Sequence, residues 1–199
     1  MTTSSINKKI IRAGIIGNVM EWYDFAIYGY FALIIGKLYF PSSSASTSVI
    51  AAFGAFAAGF LMRPIGSLIF GNIGDKLGRK RALLISVLMM AIPTFLIGLL
   101  PVHEQIGITA PILLVILRML QGLSVGGEYT TSVVFLVENS PHGRRGFMAS
   151  WSGWGAVAGI LLGSAIASLI TSLLTPVQLA SWGWRLPFQI GRASCRERV

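Results

Sequence analysis

Five stretches of mostly apolar residues run along the chain, at 13–36, 49–70, 82–101, 111–137 and 147–173. Each is long enough to be read as a membrane-spanning helix, which needs about 20 such residues. A sixth apolar stretch opens at Arg185 and stops near Gly191, too short to cross a bilayer. The polar gaps alternate in kind. Residues 1–12 carry Lys8, Lys9 and Arg12; residues 71–81 carry Lys76, Arg79, Lys80 and Arg81; residues 138–146 carry Arg144 and Arg145. The intervening gaps, "YFPSSSASTS" and "PVHEQIGITA", have no lysine or arginine. Lys37 and Arg185 break the rule at predicted helix ends, where a long base reaches the interface. The alternation predicts a cytoplasmic N-terminus and cytoplasmic basic loops.

Composition agrees with this pattern. The chain of 199 residues is 54% hydrophobic and 12% charged, against about a quarter charged in soluble domains, and its mean hydropathy is +0.72. A net charge of +9 would suit nucleic acid, but the bases sit in short clusters between apolar runs, so no nucleic-acid partner is expected. The single cysteine, Cys195, can form no internal disulfide. The N-terminal run is too long and too acidic for a cleavable signal. The ending "RASCRERV", residues 192–199, is polar where an apolar helix should continue. It reads as a non-native tail after a bundle spanning 1–191, because a half-formed span has no stable place in lipid.

Two polar stripes lie inside the apolar runs. Gly17, Glu21, Asp24 and Tyr28 fall at i, i+4, i+7 and i+11 on the first predicted helix. Facing a central aqueous path, a partly desolvated carboxylate there is a candidate proton carrier, with Asp24 preferred as the deeper of the two acids. Glu21 could instead pair with a base from another helix. On the fourth run Arg118, Gln121, Val125 and Glu128 share a sector of about 80°. An intramembrane arginine is costly and faces a partner or a cavity. Arg118 is a candidate receiver of a substrate carboxylate, with Gln121, Glu128 and Tyr28 beside it as substrate-binding candidates; the alternative is an ion pair that only fixes helix packing. Ala51, Ala55 and Gly59, and likewise Gly155, Gly159 and Gly163, repeat every four residues as close-packing faces. Trp22, Tyr23 and Trp151 read as packing or interface anchors, and Arg63-Pro64 as a kink with a snorkelling base. "GLSVG" matches a hydrolase nucleophile elbow in letters, but it falls mid-helix with His103 and His142 in loops on opposite sides. No enzyme activity, cofactor or metal is expected.

The segment "GNIGDKLGRKRALL", residues 71–84, supplies glycines for a tight turn at Gly71, Gly74 and Gly78, with Asp75 placed to cap the next helix or pair with Arg79 or Arg81. Its spacing resembles the signature between helices 2 and 3 of the major facilitator superfamily. "RMLQG", "ENSPHGRRG" and "GWGAVAGILLG" resemble further family patterns, and "EWYDF", "GGEYT" and "WGWRLPF" resemble the metabolite:proton symporter branch, most of all its proline/glycine-betaine members. The resemblance covers about residues 15–190. It implies an all-α membrane protein, the N-terminal six-helix half of a twelve-helix transporter, here with five complete helices and a truncated sixth. It further implies a multi-pass location in the cell inner membrane, with protons, a small-molecule substrate, the lipid bilayer and a missing C-terminal half as partners. The expected function is proton-coupled import of a small zwitterionic or carboxylated metabolite such as proline or glycine betaine. A dicarboxylate symporter and a non-transporting fragment are the alternatives. A latch at the inner end is implied at Gly71, Asp75, Gly78, Arg79, Lys80, Glu138, Arg144 and Arg145.

Overall fold

A computed structural model describes residues 8–141 and 143–189. Among them all regular structure is helical: α1 (Lys8–Tyr39), α2 (Ala45–Leu77), α3 (Arg79–Leu99), α4 (His103–Ile106), α5 (Thr109–Glu138), α6 (Arg145–Leu173) and α7 (Pro176–Ser181), followed by a 3-10 turn at Gly183–Arg185. Cys195, His142 and the tail at 192–199 lie outside the described residues.

The five long helices fall on the five predicted runs; α1, α2 and α5 extend past them at both ends, whereas α3 starts earlier and ends at Leu99, short of the predicted 101. α2 has 33 residues, roughly 50 Å at 1.5 Å per residue, against a hydrocarbon core of about 30 Å. The helix is thus long enough to include most of the glycine-rich segment, and this changes the reading of that segment. Gly71 and Gly74 lie inside α2 rather than in a turn. Gly78 alone makes the break, with φ 89° and its amide bonded to the Gly74 carbonyl, a backbone region that glycine enters without a Cβ clash. α2 also continues through Pro64.

Among the described residues, α2, α3, α5 and α6 contain segments long and apolar enough to cross a membrane, and α1 is not among them by that measure. It is the helix that carries Asn18, Glu21 and Asp24, all buried. Its polar groups face other helices, so the bundle rather than lipid solvates them.

α1 packs along α6, while α5 packs along α2 on one side and α3 on the other. The approach is close because small residues meet backbone. A Cβ on Gly122 would collide with the Gly59 carbonyl, one on Gly66 with the Leu123 carbonyl, and one on Gly126 with the Arg63 carbonyl. The buried face of α2 holds Ala52, Ala55 and Gly59, so Ala52, not the expected Ala51, completes that stripe. Gly155, Gly159 and Gly163 of α6 are buried against Ile15, Val19, Tyr23 and Ala26 of α1. α1 thus fills this close-packing face.

After α6 the chain makes α7, with Thr175 and Gln178 forming a reciprocal capping box. Trp184 and Phe188 are then fully buried in an apolar cluster with Tyr39, Ile97 and Leu114. Arg185, expected at a helix end, is part-buried. Its Nη2 donates to the Leu100 carbonyl at 3.1 Å, satisfying the end of α3, and Tyr23 donates to the Pro187 carbonyl at 2.8 Å.

Candidate functional site

The two polar stripes meet. Arg118 Nη1 lies 2.5 Å from Asp24 Oδ2 and also donates to Gln121 Oε1 at 2.8 Å. Gln121 Nε2 donates to Thr94 Oγ1 at 2.6 Å and reaches Asp24 Oδ1 at 3.3 Å. One turn of α5 thus ties α1 and α3 together. Asp24, Arg118 and Gln121 are almost wholly enclosed, at 1%, 2% and 2% exposure, so the ion pair is not screened by bulk water. The guanidinium carbon lies 3.7 Å from the centroid of Tyr28, whose hydroxyl is anchored on the Ala52 carbonyl at 2.8 Å. Arg118 Nε and Nη2 are buried with no hydrogen-bond acceptor among the described residues. An arginine held at one nitrogen, with two more donors turned inward, retains capacity for a carboxylate.

Glu128 lies elsewhere on the stripe. Its carboxylate fills the space that a Cβ at Gly17 would need, beside a small cavity lined with Tyr23, Met90 and Thr94. The partner that Arg118 takes at 2.5 Å is Asp24. Glu21 takes a base from another helix, as the sequence left open: its Oε1 is 3.8 Å from Arg63 Nη2. Arg63 does not snorkel freely. Its guanidinium carbon lies 3.8 Å from the Phe60 centroid and 4.9 Å from that of Phe25.

A polar junction went unnoticed in the sequence. Asn18 Nδ2 donates to Ser132 Oγ at 3.0 Å and also bonds Ser152 Oγ, and the two hydroxyls lie 3.0 Å apart. Three helices join there. The signal was available, since Ser132 continues the α5 stripe at i+14 from Arg118. Ser124 of the "GLSVG" segment lies inside α5 and donates to the Ser86 carbonyl of α3.

At the basic end Asp75 pairs with Arg79 at 2.9 Å, across i and i+4. Gly74 gives Arg79 its path, because a Cβ there would lie 3.0 Å from Nη1. Glu138 closes α5, Arg144 precedes α6 and Arg145 opens it; all three are exposed. Lys80 lies in the first turn of α3.

The family model for sugar (and other) transporters matches residues 11–193. The chain belongs to that family. Its members are transporters. The proline/betaine transporter of Escherichia coli K12 is 48% identical over 183 residues, covering 92% of this chain and 37% of the transporter. The glycine betaine/proline/ectoine/pipecolic acid transporter OusA of Dickeya dadantii is 48% identical over 181 residues, covering 91% of this chain and 36% of OusA. The chain therefore spans little more than a third of the length of these relatives. Among solved structures, the xylose transporter XylE of E. coli in a partially occluded inward-open conformation superposes with a TM-score of 0.84 at 19% identity, covering 94% of this chain and 46% of that one. A second XylE structure, of the major facilitator superfamily proton:xylose symporter bound to 6-bromo-6-deoxy-D-glucose, gives 0.80 at 19% identity, covering 94% of this chain and 41% of that one. The fold is thus the N-terminal part of a major-facilitator transporter.

Proposed function

We propose that this chain supplies the N-terminal half of a proton-coupled symporter for a small zwitterionic or carboxylated metabolite, with proline and glycine betaine as the first candidates. The observation that carries the reading is the enclosed Asp24–Arg118 pair between α1 and α5. Protonation of Asp24 removes the charge that holds Arg118. The arginine, already carrying two inward donors without acceptors among the described residues, then turns to the substrate carboxylate, with Gln121 and Tyr28 framing it. Loss of the proton restores the pair and weakens the hold on the substrate. Glu21 is the second candidate proton carrier, and Glu128 lies beside the same helices. The names of the similar transporters support the substrate class.

Alternating access requires a second helical half to rock against this one. The basic end, with Asp75–Arg79, Gly71, Gly78, Lys80, Glu138, Arg144 and Arg145, is the latch that opens and closes in that motion. The lysines and arginines support a cytoplasmic place for this end and the N-terminus, in the cell inner membrane. The bundle is assigned to residues 1–191, and 192–199 to a non-native tail. Proteoliposomes holding a transporter in which a C-terminal half follows this chain test the proposal. Uphill uptake of labelled proline or glycine betaine under an inward proton gradient, abolished by a protonophore, supports it. Uptake of a labelled dicarboxylate alone moves the substrate to that class, and no uphill uptake of either kind rejects coupling.

A further inference from the structure

The loose Glu21–Arg63 pair has a geometry that the tight Asp24–Arg118 pair lacks. Its 3.8 Å separation exceeds the 2.7–3.2 Å of an N–H···O hydrogen bond. Arg63 Nε and Nη2 have no hydrogen-bond acceptor among the described residues. The contacts the guanidinium does make are to ring faces, of Phe60 and Phe25, well inside the ~6 Å reach of a cation–π interaction. The rings are fixed among themselves: Phe25 lies 5.3 Å from Phe56 and 5.7 Å from Phe60, and Phe56 lies 5.0 Å from Phe60. Phe25, Phe56, Phe60, Arg63, Arg118 and Gln121 line one half-open cleft. Phe60 is 42% exposed at its mouth, and the Arg63 side chain is 28% exposed.

The geometry points to a subsite for an organic ammonium ion at Phe25, Phe60 and Glu21, filled in this structure by the tethered guanidinium of Arg63. The inference rests on the zwitterion-transport reading and names where the positive end of that zwitterion binds. Ring faces offer attraction without hydrogen-bond acceptors. Glu21 offers the one carboxylate acceptor, so a primary ammonium, with three N–H donors, would leave others against ring faces, whereas a fully alkylated ammonium has no N–H to satisfy. The site therefore favours quaternary ammonium. Glu21 supplies the counter-charge once Arg63 swings toward the open mouth. Arg118 lines the same cleft with two unaccepted donors, so one ligand with a carboxylate and an alkylated ammonium a short chain apart addresses both ends.

A self-ligand of this kind has a signature that misfolding cannot imitate: its removal should tighten binding. In the chain reconstituted in lipid nanodiscs, tetramethylammonium should bind saturably by equilibrium dialysis. Arg63→Gln should raise its affinity about tenfold, the value of one partly desolvated cation–π contact. Phe60→Leu, which keeps bulk at an exposed position, should lower it about tenfold, and Phe60→Trp should retain it. Glu21→Gln should weaken it. Ammonium ion should compete poorly. No saturable binding, an affinity unchanged or reduced in Arg63→Gln, or indifference to Phe60→Leu overturns the subsite. The transport reading fails separately. Proton-driven accumulation of glycine betaine with an unchanged KM in Phe60→Leu leaves transport standing and removes the subsite, whereas tight tetramethylammonium binding without accumulation does the reverse.

Discussion

Asp24 and Arg118 are 94 positions apart in the chain, and their charged groups lie 2.5 Å apart in its interior. Removing one member of such a pair leaves the other charge buried and costs about 3–5 kcal/mol, although a neutral replacement of both can cost little. In a transporter completed by its second half, Asp24→Asn is expected to abolish proton-driven accumulation while sparing part of substrate exchange, because exchange needs alternation but no proton carrier. Counterflow and gradient-driven uptake in the same vesicles separate the two. Full accumulation in the variant shifts the carrier role to Glu21. The double variant Asp24→Asn/Arg118→Gln is expected to regain thermal stability lost in Asp24→Asn without regaining coupling, and failure to regain it shows the two residues to be energetically independent.

Backbone proximity between α2 and α5 gives a second test. Gly122→Ala places a methyl group against the Gly59 carbonyl, where only backbone movement relieves the clash. The expected loss is about 1–3 kcal/mol, read as a lower unfolding temperature in detergent. Gly54→Ala meets nothing within 4 Å and should be neutral or gain up to about 1 kcal/mol from helix propensity. Equal effects at the two positions would mean that α2 and α5 stand further apart.

Orientation is open to chemical labelling. With Cys195 replaced, Lys80→Cys and Arg144→Cys should resist an impermeant thiol reagent in intact cells, and Ser44→Cys should react. Ser44 precedes α2 at the end of the bundle opposite to Gly78, so the sites report opposite faces. Reaction of Lys80→Cys from outside reverses the assigned topology.

Expressed alone, residues 1–199 should insert into membranes yet accumulate nothing. Helices satisfy their own backbone groups in lipid, and the glycine face of α6 is covered by α1, so insertion and packing do not wait for a second half. Alternating access does, since one body has nothing to rock against. Saturable uphill uptake of proline or betaine by this chain alone would refute the requirement.

Much of the architecture was determined by the sequence itself. Runs of apolar residues specify membrane helices because lipid offers backbone groups no other partner. The stripes were also legible: Glu21, Asp24, Tyr28, Arg118, Gln121 and Glu128 are all buried, as a period of 3.6 places them on shared faces. What periodicity cannot supply is the rotation and axial offset of one helix against the next. The choice of Asp24 as the partner of Arg118, of Arg63 for Glu21 and of Ala52 over Ala51 on α2 depends on those two quantities alone. They are set where glycines let backbones touch, Gly59 on Gly122 and Gly163 on Tyr23, contacts between residues far apart in the chain. Which charge meets which was therefore decided only by tertiary packing, because an ion pair a few ångströms long forms or fails with a fraction of a helical turn.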